Sequence, residues 1–109
     1  MTGIISIGRS TKGKDLSDAR WRRFIRDTIR AAGSQGRDVV FTGRGAGRYT
    51  DAIGQTIFEK SFTVIFTELG YAHVWFDARI DLRETLAGLA RKYGQECIAL
   101  TYGATEFVS

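Results

Sequence analysis

The strongest constraint on this chain is an amphipathic helical stripe flanked by β-branched runs, a pattern that occurs twice. Trp21, Phe24, Ile25, Thr28, Ile29 and Ala32 recur at three- and four-residue spacing, which puts them on one face of a helix. Leu82, Leu86, Leu89 and Tyr93 form a second stripe. Gly33 and Gly36 close the first helix and Gly94 closes the second. Runs rich in β-branched and aromatic residues lie at 3–8, 38–42, 56–69 and 97–101, the last continuing at 105–108 past Gly103, and read as strands. A helix with one apolar face must bury it against another layer, so the pattern predicts an α+β protein in which helices cover a sheet.

The order strand, helix, strand, strand, helix, strand predicts the ferredoxin-like βαββαβ arrangement, an antiparallel sheet with both helices on one face. Ala72 to Phe76 has strand composition and predicts an extra short strand near 71–77. Asp81 and Glu84 give an Asp-x-x-Glu start signal for the second helix. Ser17 or Asp15 caps the first helix, and with Ser17 as the cap Leu16 and Trp21 form a hydrophobic staple. Residues 9–15 are polar and read as a loop. A length of 109 residues leaves room for a single domain, 1–109, with one core. Proline is absent, so the thirteen glycines carry the turns.

Three segments resemble an uncharacterised family of small bacterial or phage ferredoxin-like proteins. They are Trp21-Arg22-Arg23-Phe24, the Gly-Arg-Gly-Ala-Gly-Arg-Tyr turn at 43–49, and the exit Tyr93-Gly94-Gln95-Glu96. The resemblance implies the ferredoxin-like fold and assigns no catalytic residue.

Charge is distributed unevenly. Residues 1–50 hold eleven Lys and Arg against four Asp and Glu, and residues 51–109 hold five against eight, so a net of +7 is followed by −3. Such asymmetry fits a basic contact surface, two complementary faces in an oligomer, or a solvated helix face. Arginine outnumbers lysine, and its planar fork of donors suits phosphate or carboxylate.

Two basic segments stand out. In the turn 43–49, Gly43, Gly45 and Gly47 free the backbone to aim amides at an anion, with Arg44, Arg48 and Tyr49 as ligand contacts. The spacing is neither a Walker A loop nor a dinucleotide fingerprint, and a glycine-bent strand end entering a long hairpin is the competing reading. On the first helix, Arg22, Arg26 and Arg30 form an i, i+4 row with Arg23 beside it, a ridge for nucleic-acid backbone, an acidic protein or solvent. The RNA-binding aromatic signature of ferredoxin-like domains is missing.

Other chemistry is sparse. His73 is the only histidine and Cys97 the only cysteine, which excludes a disulfide within the chain and a cysteine-built zinc site. His73 reads as a packed residue, with Asp77 or Glu68 as orienting partner if it is catalytic. Glu59, Glu68, Asp77 and Asp81 supply carboxylates at separations the sequence does not define. No metal or cofactor is expected. The absence of a signal pattern and of a long apolar run predicts a cytoplasmic protein without a membrane partner.

The function expected from these residues is a non-enzymatic, oligomeric protein. It would hold an anionic ligand, a nucleotide, cyclic-nucleotide messenger or nucleic acid, through Arg44 and Arg48. The alternative is an interaction module, an inhibitor or adaptor, docking its arginine ridge on an acidic partner. A small enzyme using His73 is the third reading. Crowding of Phe58, Phe62, Phe66, Trp75 and Phe76 beside only two helices leaves one sheet face bare, which predicts a homo-oligomer.

Overall fold

In the computed structural model, which describes residues 2–11, 14–50, 53–68, 72–96, 98–103 and 108, the two apolar stripes are helices lying on one sheet. The elements are β1 (Thr2–Gly8), β2 (Ser10–Thr11), β3 (Lys14–Asp15), α1 (Asp18–Ala32), β4 (Arg37–Thr50), β5 (Thr56–Glu68), α2 (Ala72–Lys92) and β6 (Ala99–Gly103). The four longer strands form an antiparallel sheet in the order β4-β5-β1-β6.

Alternation along the strands selects the covered face. Ile5 and Ile7 of β1 pair with Val64 and Phe62 of β5, and all four are buried together with Phe66. Trp21, Phe24 and Ile25 of α1 and Leu82 and Leu86 of α2 complete the same cluster. Fully buried side chains such as Phe24, Phe66 and Leu82 contribute about 1.5–3 kcal/mol each. Gly3 is required by this packing, because a Cβ there would sit 2.1 Å from the Phe66 ring.

Ser17 is the N-cap of α1 and accepts a hydrogen bond from the Arg20 amide at 3.2 Å. Leu16 and Trp21 are both buried, as the staple requires.

Three local expectations need correction. Residues 9–15 are not simply loop: β2 and β3 pair through Ser10↔Asp15 and Thr11↔Lys14. The segment 43–49 is no turn but the middle of β4, paired residue for residue with β5 from Gly43↔Thr63 to Tyr49↔Ile57, so of the two readings the strand entering a long hairpin is the one the structure shows. Ladder pairing holds its glycines extended, and among the described residues the positive-φ glycines are Gly36, Gly54 and Gly94. The extra strand near 71–77 is instead the start of α2 at Ala72. Ala78 lies one helical step before Leu82 and Leu86 and is buried with them, so the apolar stripe starts before the Asp81 signal and outweighs the local β propensity. Of the expected continuation of the last strand beyond Gly103, residues 104–107 lie outside the described residues, as does Cys97.

β1 stops pairing at Gly8↔Ser61, whereas β4 and β5 pair on to Thr50↔Thr56. The hairpin therefore runs past the four-stranded part of the sheet, with Phe58 71% exposed upon it.

Candidate functional site

Strand alternation sends the residues of the hairpin in two directions. Arg44 pairs with Phe62 and Ala46 with Lys60, so Arg44 and Lys60 lie on the helix side. Gly43, Gly45 and Gly47 lie opposite Thr63, Ser61 and Glu59 on the other side.

On the helix side, a cleft of about 320 Å³ is lined by Arg9, Asp18, Trp21, Arg22, Arg44 and Lys60. Here Arg44 of the glycine-rich segment meets Arg22 of the helix ridge, two residues that the sequence places on separate surfaces. Arg9 donates to Asp18 at 2.6 Å and to the Leu16 carbonyl at 2.8 Å. That Arg9 hydrogen bond and charge, with Arg22 and Lys60 behind them, hold the Asp18 carboxyl below its ordinary value. The rest of the ridge goes elsewhere: Arg26 lies 3.9 Å from Asp27, Arg30 lines the α1–α2 groove, and Arg23 is exposed.

On the opposite side, a larger cleft of about 430 Å³ is lined by Ser6, Gly8, Gly47, Arg48, Glu59, Ser61, Thr63 and Gln95, with Ile7 and Ala99. It brings together one carboxylate, one guanidinium and a row of hydroxyls on the sheet face that no helix covers. Arg48 has the parity of Arg44 along β4, but it borders this cleft where the hairpin has run past the end of β1. Glu59 is anchored, since its Oε2 accepts from the Ser10 amide at 3.2 Å. Gly8 makes that possible: a Cβ there would lie 2.5 Å from the Glu59 carboxylate. Arg44 and Arg48, expected to grip one anion, therefore line different clefts. The side chains of Tyr49 and His73 lie outside the described residues.

A third constellation was not legible as a site. Glu68, its side chain 2% exposed, accepts two hydrogen bonds from Arg79, at 2.8 Å from Nε and 2.7 Å from Nη2. The Arg79 guanidinium lies 4.3 Å from the Tyr102 ring centroid. Arg37, also buried, donates to the carbonyls of Ala31, Ala32 and Ala78 and to the Ser34 hydroxyl, which ties the end of α1 to α2. Burial pulls the Arg37 guanidinium down, opposed by the charges of Tyr102 and Glu68. Burial, then the charge of Glu68, raises the Tyr102 phenol. Glu68 acts on Tyr102 electrostatically, yet the Tyr102 hydroxyl is buried without a hydrogen bond of ordinary geometry.

Among the described residues no cluster of three His, Cys, Asp or Glu could hold a metal, and no helix is long and apolar enough to cross a membrane.

No family model and no curated protein matches the chain. Solved structures do. The chain is similar to a phage SAM lyase in complex with S-methyl-5'-thioadenosine, with a TM-score of 0.63 at 21% identity, over 91% of this chain and 76% of that one. Phage SAM lyase in its apo state matches with a TM-score of 0.51 at 19% identity, over 91% and 75%. At this identity the likeness establishes a shared fold. The phage side of the expected resemblance has a counterpart here, while the uncharacterised family has no matching model.

These neighbours overturn the expected function. They are an enzyme with a small-molecule ligand, so the non-enzymatic binding protein, its adaptor alternative and the leaning away from an enzyme give way. The basic half of the chain misled because net charge along a sequence does not record which cleft each side chain enters.

Proposed function

We propose that this chain is an enzyme that binds S-adenosylmethionine and cleaves it to S-methyl-5'-thioadenosine, with the Arg48–Glu59 cleft as its substrate site. The observation that carries this reading is the fold shared with phage SAM lyase over 91% of the chain. The size of the cleft supports it, about 430 Å³ against the roughly 300–1,000 Å³ usual for small-ligand pockets.

Such a cleavage breaks the bond between sulfur and the γ-carbon of the aminobutyryl chain, and the electron pair returns to sulfur. A sulfonium cation becomes a neutral thioether. The released fragment closes its valence through its own carboxylate, giving a lactone, or by losing a β-proton, and neither route needs a redox partner.

Because the sulfonium charge vanishes along the path, an anion held against sulfur would stabilise the substrate more than the transition state. The place for Glu59 is therefore the α-ammonium, whose charge persists. Arg48 faces the carboxylate end, where the charge it meets persists on the elimination route and where it orients the attacking oxygen on the lactone route, and the hydroxyls of Ser6, Ser61 and Thr63 suit the ribose.

The order β4-β5-β1-β6, with α1 after β1 and α2 after β5, supports a ferredoxin-like reading. The sheet face opposite the helices leaves Ile4 and Phe41 exposed, which supports a homo-oligomer that covers this apolar part of the face beside the cleft. Light scattering is expected to give a multiple of 12.1 kDa, and a monomer at micromolar concentration rejects the oligomer. The enzyme reading has its own test. Protein incubated with S-adenosylmethionine should release S-methyl-5'-thioadenosine, followed by mass spectrometry, in proportion to enzyme and time. Release no faster than in buffer rejects the reading.

A further inference from the structure

We propose that the cleft framed by Arg9, Arg22, Arg44 and Lys60 is a phosphate-binding site, distinct from the Arg48–Glu59 cleft and independent of the reaction assigned there. It is an additional site on an enzyme and does not restore a binding protein as the function.

Four cations from the β1 exit, α1, β4 and β5 converge on one hollow whose only lining carboxylate among the described residues is Asp18. Asp18 is engaged by Arg9, so a single carboxylate, already ion-paired, stands against four cations at the mouth. Among the described residues the side chains of Arg22, Arg44 and Lys60 donate no hydrogen bond and form no ion pair within 4.0 Å. All three are exposed. Converging like charges repel, and an oxyanion with several acceptor oxygens relieves that repulsion through charge-assisted hydrogen bonds.

The cleft also favours phosphate over a nucleobase. Trp21, its aromatic wall, is buried and offers no open face for a base to stack upon. A second hollow, about 340 Å³, adjoins it through Trp21, Arg44 and Lys60 and continues to Gly45 and Ser61. The two share Arg44 and Lys60, so the basic lining is continuous from one hollow to the other.

The phosphate could come from a nucleic-acid strand or from a free phosphorylated small molecule, and one experiment separates them. Fluorescence anisotropy of a labelled oligothymidylate at low salt reads the affinity, with unlabelled pyrophosphate as competitor. Arg44→Ala and Lys60→Ala are each expected to weaken binding about tenfold, and each to lower the slope of log affinity against log salt by about 0.7. Arg26→Ala, on the same helix as Arg22 but outside the groove, is the control and should leave both unchanged. Displacement by pyrophosphate identifies a site for isolated phosphates. Binding that needs Arg44 yet resists pyrophosphate identifies a strand. No oligothymidylate binding at low salt together with no thermal stabilisation by pyrophosphate overturns the proposal, and so does an Arg26→Ala loss equal to that of Arg44→Ala. Neither result bears on S-adenosylmethionine cleavage, since no probe contains that substrate.

Discussion

Glu68→Ala is expected to lower stability by about 3–5 kcal/mol. The carboxylate is almost fully buried and holds Arg79 through two short hydrogen bonds. Its removal leaves that guanidinium without its carboxylate and takes from Arg37 one of the charges that oppose the cost of its burial. The bare Coulomb attraction is not what is lost: much of the penalty is a cation left partly buried and unpaired. At about 4–8 °C per kcal/mol for a chain of this size, the melting temperature should fall by at least about 12 °C in thermal unfolding followed by circular dichroism. Glu68→Gln keeps one acceptor and should lose less. A fall below about 4 °C for the alanine variant would mean that solvent already screens the pair through Arg79, whose side chain is 30% exposed.

The second large effect concerns catalysis. Glu59→Gln preserves shape and removes the charge proposed to hold the α-ammonium of the substrate. Hydrogen bonds to a charged group contribute about 1.5–3 kcal/mol, so kcat/KM for S-adenosylmethionine should fall about 10- to 150-fold. Gly8→Ala tests the same point by geometry. Its Cβ would occupy space 2.5 Å from the carboxylate, so Glu59 must swing aside with its charge intact, and activity should fall although no polar group has been removed. Melting temperatures within a few degrees of the parent separate a lost contact from a lost fold. Unchanged kcat/KM in both variants would remove Glu59 from the site.

How much of this was legible in the sequence depends on the range of the signal. The staple at Leu16 and Trp21 and the Ser17 cap are local, and each stands where spacing placed it. Glu68 was legible in part: it continues the two-residue alternation of Phe62, Val64 and Phe66, which turns it inward with them. Nothing local announced its partner, because Arg79 lies one element away, on α2. By sequence, Arg37 is only one of the eleven cations of residues 1–50. It is instead the buried clamp that satisfies the carbonyls ending α1. The segment 43–49 carried two readings, an anion-binding turn and a strand entering a long hairpin. Three glycines allow either when read alone, and the long pairing partner in β5 holds them in a strand.

The sequence by itself determined that there are two helices with flanking strands, and which face they cover, though not where the second helix begins, because hydrophobic periodicity is a local property that burial then enforces. Only the tertiary structure decided the chemistry. Arg44 and Arg48 are four residues apart yet line separate clefts, while Arg22 and Arg44 are distant in sequence and share one. Sheet pairing and helix packing set those distances, and no charge count along the chain contains them.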